Sequence, residues 1–475
     1  MNWEKLTFPL IAILLLPFFF VFVPSKEWVA VILIFFSFFL LFSSRYIRSD
    51  SRLLWASFFV LALRHGISII NVYFTKIYGA GLDATTFHLN AIEIARSTQP
   101  TWFSEFGTVD IGSSLYARSL GFCYKYLGES LLLGQTLSVL AYVVAGILLI
   151  RLMGNLGLSR WKRGIILLYG GLPPAIIYES ITMREPWEAL FFILVCYSAV
   201  QLRKQVSIWR MIVLVGFGVA LGLLHNGLMV YALFLVCYSL FWGGRINLAN
   251  WRTNNLLGQL IAIPLLIGIV LAWWNLARDV GGASQALIKG ETANYYETYR
   301  EKGEQDARAN YEVRLDTSSI PSAVGTGFLA FIFYLFAPFP WQVSSLMDLY
   351  AFSEGVFRFF LLYQGIKLWW RSSGERRSKF GYLLTCVFSL ELLWSFGTTN
   401  WGTATRHHII AYGLLVVVGG PGVMLAMMNL GRRLTRRTSK RKARVARFRS
   451  VPRRRIRPMN LPSALPPDIP NVSGK

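Results

Sequence analysis

Residues 28–42 read WVAVILIFFSFFLLF, a run in which Ser37 is the only polar side chain. A second apolar run, FPLIAILLLPFFFVFV, precedes it at 8–23. Runs that approach 20 apolar residues are long enough to cross a bilayer whose hydrocarbon core is ~30 Å thick. No A-x-A-type cleavage site separates the two runs. The sequence therefore predicts an N-terminal helical hairpin over 1–52 that is retained in the membrane.

The composition of the whole chain indicates the same class of protein. Of its 475 residues, 54% are hydrophobic, 15% are aromatic and only 15% are charged, and the mean hydropathy is +0.47. A soluble domain carries roughly 25% charged residues. These values exclude a soluble enzyme, a disordered chain and a fibre. They predict an all-α, multi-pass membrane protein.

Apolar segments recur along the chain and set its predicted topology. About 13 of them can be marked by their hydrophobic pattern: 7–23, 28–43, 53–74, 131–152, 164–180, 186–202, 209–225, 226–242, 256–275, 324–341, 351–370, 380–397 and 408–429. Lys and Arg concentrate in alternate connections, which places those connections and both termini on the cytoplasmic side. Both termini inside requires an even number of crossings, and segment 324–341 contains Pro338 and Pro340, which break a helix. We therefore predict about 12 spans and one re-entrant or interfacial segment in a cell membrane, expected to be a bacterial inner membrane.

This topology divides the chain into five predicted parts. They are the hairpin at 1–52, a membrane core at 53–275 with a long outer loop at 75–130, a second outer loop at 276–323, C-terminal membrane helices at 324–430, and a basic tail at 431–475. The tail holds 15 Lys and Arg against Asp468 alone. Attached to a last span, it is expected to bind anionic lipid head groups, at ~1 kcal/mol for each basic residue near the surface. Nucleic acid is the less favoured partner.

The first candidate site residues lie just past the third apolar segment. Asp83 occurs in GLDATTFH at the start of a short amphipathic stretch. A lone carboxylate beside a bilayer suits a general base, and a helix N-cap explains it equally well. His88 lies on the other side of that stretch. A polar residue facing the interface is its simpler interpretation, and substrate binding is the alternative.

Two further clusters hold charged residues at the predicted outer ends of spans. In IYESITMREPWEAL, Arg184 and Glu185 lie with Glu188 between two apolar segments. Arg184 could hold a phosphate through its planar fork, or form an i,i+4 pair with Glu188. In GTTNWGTATRHH, Arg406 and His407 open the last span. An Arg at a helix start opposes the helix dipole unless an anion compensates, so this cluster predicts an anion site, with snorkelling of Arg406 as the alternative.

Other ionisable residues have simpler expected roles. Arg64 lies in one span and Glu391 in another, so a buried Arg64–Glu391 pair is expected. His225 and Asn226 form a turn between two spans and are expected to cap it. Four scattered cysteines lack metal-ligand spacing, and P-loop, HExxH and Ser-His-Asp patterns are absent from the sequence. No metal site is predicted, and the requirement for a divalent metal stays open.

Three stretches resemble the GT-C superfamily of integral-membrane glycosyltransferases, which includes the protein O-mannosyltransferases and the bacterial lipid A aminoarabinose transferase. GLDATTFHLNAIEIA is similar to the family's first outer loop. SLYARSLGFCYKYLGESLLLGQTLSVLAYVVAGILLIRLMGNLG is similar to the segment that leads from that loop into the next span. GGLPPAIIYESITMREPWEALFFILV is similar to the family's acidic "sEp" stretch. Together the three stretches lie within residues 75–205.

The resemblance implies transfer of a sugar from a polyprenyl-phosphate-sugar donor to a glycan, lipid or protein acceptor on the outer face. Asp83 matches the family's first-loop catalytic acid, and Glu185 matches the acidic residue of the sEp stretch. Arg184 and Arg406 have no fixed counterpart and are expected to hold phosphate on physical grounds, with His407 beside them. The chain departs from the family in two ways: Ala84 stands where many relatives have a second carboxylate, and two extra helices precede the span that leads into the loop.

Two other functions remain open at this point. An O-antigen-type polymerase also has about 12 spans and long outer loops with functional Arg residues, and it would join lipid-linked repeat units. A transporter or a non-catalytic assembly protein would need no catalytic carboxylate. No internal repeat is evident in the sequence, which disfavours an inverted-repeat transporter.

Overall fold

The computed structural model describes residues 23–76, 82–97, 112–244, 267–271, 273–274, 282–291, 295, 298, 309–311, 313, 315–316 and 318–449. The predicted span at 7–23 lies outside the described residues, as does most of the one at 256–275. The same holds for 98–111 of the first predicted outer loop, for much of the second, and for the tail beyond 449. The chain divides into two compact units, Met1–Met424 and Leu425–Lys475.

Helices account for nearly all of the described chain, and β-structure in it is limited to an isolated bridge between Asn310 and Asn400. Apart from single turns, the helices up to residue 204 are α1 (Trp28–Ser43), α2 (Ser51–Tyr73), α3 (Leu82–Arg96), α4 (Ser113–Leu127), α5 (Leu131–Asn155), α6 (Lys162–Gly170), α7 (Pro173–Tyr178) and α8 (Glu185–Lys204). The later ones are α9 (Ile208–Leu224), α10 (Asn226–Gly243), α11 (Gly282–Lys289), α12 (Ile320–Phe336), α13 (Leu346–Arg371), α14 (Gly374–Gly397), α15 (Trp401–His407) and α16 (Ile409–Arg449).

Six of the described helices are long and apolar enough to cross a membrane. They are α1 with its preceding turn, α2, α5, α10, α14 and the Ile409–Arg432 part of α16. Helices α9 and α12 are apolar but shorter, with 17 residues each. The helical, membrane-spanning class predicted from the sequence is confirmed, and the number of spans stays a prediction.

The helices begin and end where local chemistry dictates. The Asp50 carboxylate accepts hydrogen bonds from the amides of Arg52 and Leu53 at the start of α2, and the Ser130 hydroxyl caps α5 in the same way. Helix α12 ends at Phe336, just before Pro338. Such caps satisfy amides that have no partner inside the helix.

The apolar segment at 164–180 forms two short helices, not one span. Helix α6 ends at Gly170 and α7 begins at Pro173, and Leu172 between them is extended. A residue before proline is biased away from helical geometry, and proline suits the first helical position. Neither helix can cross a hydrocarbon core of ~30 Å. The break turns Glu179 back toward α2.

The core of the first unit is built around α5, α8 and the first part of α16. Helix α8 packs against α5, α9 and α10, and its side chains from Phe192 to Leu202 are largely buried. The residues of α16 at 409–412 and 414–418 are at most 1% exposed. A helix that is apolar all round and buried all round lies inside a bundle. In the second unit, residues 425–449 are described, and they are helical.

Helix α16 passes so close to α13 at Gly419 that a Cβ there would overlap the backbone carbonyl of Leu361. We expect Gly419→Ala to destabilise the protein by about 1–3 kcal/mol, because a backbone atom cannot rotate away as a side chain can. Thermal unfolding in detergent measures this. The matched control is Gly146→Ala in α5, where a Cβ would meet nothing within 4 Å. Equal melting temperatures for the two variants would show that α13 and α16 are not in close contact.

Candidate functional site

Three stretches that are far apart in the sequence meet at one ion cluster. Arg406 of α15 forms an ion pair with Asp83, the second residue of α3, through its Nη1 and the carboxylate Oδ2. Its Nε lies 3.0 Å from Oε1 of Glu185, the first residue of α8. The guanidinium therefore bridges two carboxylates from different helices. Three of the residues predicted from the sequence share this cluster.

A small apolar cluster holds α3 against the segment that precedes α8. Ala84 and Phe87 of α3 pack with Tyr116 of α4 and with Ile181 and Met183. The rings of Phe87 and Tyr116 meet edge to face with centroids 4.9 Å apart. Because these contacts flank residue 83, they position the carboxylate of Asp83 over the start of α8.

The two other members of the ion cluster are positioned by helix starts. Helix α8 opens with Glu185 followed by Pro186, and a carboxylate in a first turn is favoured by the helix dipole. Helix α15 is capped by Asn400, whose side chain accepts a hydrogen bond of 2.7 Å from the amide of Thr403. Six residues after that cap, the helix presents Arg406 to the carboxylates.

Burial differs sharply within the ion cluster. The side chain of Glu185 is 1% exposed and that of Arg406 is 19% exposed, whereas that of Asp83 is 53% exposed. Burial by itself would lower the pKa of Arg406, but the carboxylates of Glu185 and Asp83 outweigh it and raise that pKa. Arg406 is thus a permanent cation, and Asp83 is the carboxylate that a molecule from outside can reach.

A second arginine lies next to the cluster and is less well neutralised. The Nε of Arg184 is 3.4 Å from Oε1 of Glu188, so the i,i+4 pair foreseen from the sequence is present. Neither of these two atoms makes a hydrogen bond within the described residues, and the same holds for Oε2 of Glu185. Buried polar atoms without partners are rare and call for an explanation. Here they leave hydrogen-bonding capacity for a bound molecule.

A cavity of about 280 Å³ adjoins Arg184. Its described lining consists of Gly112, Ser113, Arg184, His225, Asn226, Gly227, Tyr295, Leu393, Trp394, Gly397 and His407. Arg184 and His407 were both predicted as substrate-binding residues, and the structure brings both of them into the lining of this cavity. The cavity volume lies just below the ~300–1,000 Å³ typical of ligand pockets.

Aromatic rings form part of the cavity wall. The His407 ring stacks on that of Trp394, with centroids 4.0 Å apart, and the His225 ring meets the edge of Trp394 at 4.7 Å. Nδ1 of His225 accepts a hydrogen bond of 3.0 Å from the amide of Gly227, so the predicted capping role is confirmed. In the neutral ring the proton is then on Nε2.

The two histidines lie in a positive field. Burial, and then the charges of Arg184 and Arg406, lower the pKa of His225. Burial and Arg406 likewise lower the pKa of His407, whose Nδ1 lies 3.0 Å from the hydroxyl of Thr398. Both rings are therefore neutral near pH 7. Among the described lining residues, Arg184 is the cation.

His88 is placed differently from the other predicted residues. Its Nδ1 lies 2.8 Å from the hydroxyl of Tyr124 on α4, and its ring meets that of Tyr124 edge to face. Burial lowers the pKa of His88. Its described contacts are with the α3–α4 pair and include neither the ion cluster nor the cavity lining.

The expected Arg64–Glu391 pair is wrong. Arg64 pairs with Glu179, with Nη2 at 2.5 Å from Oε2, and Glu391 lies 2.6 Å from Nδ1 of His408. The break between α6 and α7 brings Glu179 onto α2, which hydropathy alone does not reveal. Arg64 therefore pairs with Glu179, and Glu391 pairs with His408.

Sequence reasoning missed two parts of the site. Trp394 carries no motif, and a Trp near the end of a span is expected in any membrane protein. Gly112 and Ser113 reach the cavity because the Gly112 amide donates to the Leu223 carbonyl at 2.7 Å. A contact of that kind between distant backbone atoms leaves no sequence signal.

Comparison with known proteins identifies no relative. No protein-family model, curated protein or solved structure matches this chain. Among the described residues, no group of three or more His, Cys, Asp and Glu side chains is arranged to hold a metal ion. Any assignment of function therefore rests on the geometry of the ion cluster and the cavity.

Proposed function

We propose that this protein is a membrane glycosyltransferase that moves a sugar from a polyprenyl-phosphate donor to an acceptor on the extracytoplasmic face, in assembly of a cell-surface glycan. The observation that carries the proposal is the convergence of Asp83, Arg406 and Glu185 beside a cavity that contains Arg184. The proposal includes a topology of about 12 spans, with a re-entrant segment at 324–341 and with both termini in the cytoplasm of a bacterium. That topology puts the cluster on the outer face.

The chemistry needs a base and a cation, and this cluster offers both. The Asp83 carboxylate takes the proton from an acceptor hydroxyl or amine, and the acceptor oxygen or nitrogen bonds at the same time to the anomeric carbon of the sugar. The bond from that carbon to the phosphate oxygen breaks, and its electron pair leaves with the phosphate. The charge on the departing phosphate is stabilised by a fixed cation, Arg184 or Arg406. The half-exposed position of Asp83 supports its role as the base, since the acceptor must reach it.

The buried carboxylates suit recognition of a sugar. Oε2 of Glu185 and Oε1 of Glu188 make no hydrogen bond within the described residues. Sugar hydroxyls and amines are donors that such oxygens accept. A site with unpartnered buried acceptors discriminates strongly against a molecule that lacks the matching donor.

Glycan analysis of living cells tests the reaction class. The lipid-linked and surface glycans of a parent strain, a deletion strain and the complemented deletion would be compared by mass spectrometry. A transferase predicts that the deletion loses one sugar mass and that the intact gene restores it. The complementing gene with Glu129→Gln is a matched control, because Glu129 forms an exposed ion pair with Arg96 away from the cluster.

Other outcomes of the same comparison would contradict the proposal. Single lipid-linked repeat units that accumulate without long chains would identify a polymerase of the O-antigen type. Unchanged glycans in the deletion would exclude both enzymes and leave a transporter or an assembly protein.

A further inference from the structure

The cavity next to the ion cluster has the composition of an anion site. Its described lining includes Arg184 and four further residues that carry N–H groups in their side chains, His225, Asn226, Trp394 and His407, and none of the described lining residues is Asp or Glu. Arg184 is 9% exposed and Trp394 is 6% exposed. The Nε of Arg184 and the indole Nε1 of Trp394 lack hydrogen-bond partners within the described residues. Buried donors of this kind need an acceptor.

The N-termini of two helices add to the positive electrostatic potential in the cavity. Helix α4 begins at Ser113 and α10 begins at Asn226, and both residues line the cavity. The first turns of both helices are without acidic residues, and Gly112 has no side chain to cap the amides of α4. The N-terminus of a helix carries partial positive charge and favours phosphate. The start of α8 differs, because the acidic residues Glu185 and Glu188 in its first turn offset the partial positive charge of its N-terminus.

The two arginines of the site are not equivalent. Arg406 is already bridged by the carboxylates of Asp83 and Glu185, and it is absent from the described cavity lining. Arg184 has one carboxylate partner at 3.4 Å and no hydrogen bond from Nε to it. An anion that enters the cavity is therefore attracted most strongly by Arg184, because the carboxylates of Asp83 and Glu185 already neutralise Arg406.

We propose that the cavity binds a phosphoryl group, with Arg184 as its ion-pair partner and with Trp394 Nε1 and the first amides of α4 as hydrogen-bond donors. The identification of this phosphoryl group as the leaving phosphate of the sugar donor rests on the proposed function. Binding of a phosphoryl group does not rest on it, because binding requires no sugar transfer. A volume of about 280 Å³ fits a head group, with the rest of a lipid outside. Trp394 and Leu393 are on α14, a candidate span, so the cavity adjoins a helix that is long enough to cross a membrane.

Binding to the full-length protein tests this proposal. The protein would be purified in a phosphate-free maltoside detergent, and calorimetry would measure binding of farnesyl monophosphate, farnesol and inorganic phosphate. We expect farnesyl monophosphate to bind and farnesol not to bind. Arg184→Gln should weaken binding about 10- to 100-fold, and Trp394→Phe, which keeps a ring but removes the N–H, about tenfold.

Matched controls separate the site from general effects. Arg96→Gln removes an arginine whose side chain is 69% exposed, and Trp209→Phe alters a residue that is 72% exposed, so both should bind like the wild type. Tighter binding of farnesyl monophosphate than of inorganic phosphate identifies a lipid-borne group, and equal binding identifies a free phosphate. Asp83→Asn should retain binding, so loss of transfer and loss of binding remain distinguishable.

Two results would overturn the proposal. One is binding of farnesol as tight as that of farnesyl monophosphate, which would make the cavity an apolar site. The other is wild-type affinity in Trp394→Phe together with wild-type affinity in a folded Arg184→Gln. The melting temperature of each variant reports whether it is folded.

Discussion

Asp83→Asn should lower the rate of sugar transfer by about 10²- to 10⁴-fold, the contribution typical of a general base. The amide has nearly the same shape as the carboxylate but cannot accept the proton of the acceptor. Little stability should be lost, because the Asp83 side chain is 53% exposed and ion pairs at such positions contribute weakly. The expected result is therefore a folded protein with very slow transfer.

The measurement is the initial rate of transfer from lipid-linked donor to acceptor in membranes that contain equal amounts of each variant. Asp83→Glu keeps a carboxylate at a longer reach and should retain more activity than Asp83→Asn. Glu129→Gln is the matched control, since it also removes a carboxylate that forms an ion pair with an arginine, in this case Arg96 at the end of α3. Transfer by Asp83→Asn at the rate of this control would mean that the base lies elsewhere.

Glu179→Gln should reduce the free energy of unfolding by about 3–5 kcal/mol, because it leaves a buried guanidinium without its counter-charge. Arg64 is 0% exposed and Glu179 is 1% exposed. The Glu179 carboxylate accepts hydrogen bonds from Arg64 and, at 2.5 Å, from the hydroxyl of Tyr169. The guanidinium also donates to the Gly170 carbonyl at 3.1 Å and lies 3.6 Å from the ring centroid of Tyr142. One pair thus ties α2 to α5, α6 and the segment after α7.

A double variant separates the loss of pairing from the loss of charge. Arg64→Met with Glu179→Gln removes both charges, and such replacements are often neutral or stabilising. We expect it to recover most of the stability that Glu179→Gln loses. Unfolding by SDS titration in mixed micelles measures all three proteins. A single variant no less stable than the double would show that the charge of Arg64 is not buried against Glu179.

Local patterns account for most of the helices. The run at 131–152 becomes α5 at Leu131–Asn155, and the segment at 380–397 lies within α14 at Gly374–Gly397. Hydrophobic runs and caps act over a few residues, so they can be recognised in any sequence. The segment at 164–180 was the exception, because its apolar run hides the two prolines that divide it.

The candidate site could be predicted only as separate pieces. Five residues could each be recognised as a charge or an imidazole beside an apolar segment: Asp83, Arg184, Glu185, Arg406 and His407. Their arrangement did not follow from that, and His88, selected on the same grounds, pairs with Tyr124 instead. Which side of α3 faces α8 depends on the packing of Phe87 against Tyr116. That packing involves residues that are unremarkable in the sequence.

The amino-acid chain alone settles that this is a helical membrane protein, since burying long apolar runs in lipid leaves the backbone no alternative to helices. Tertiary structure alone decides which charges become partners. Arg64 meets Glu179 rather than Glu391, and Arg406 lies between Asp83 and Glu185, because helix packing brings them within 3.0 Å. In a medium of low dielectric constant each buried charge needs its partner, yet sequence order says nothing about which helix will supply it.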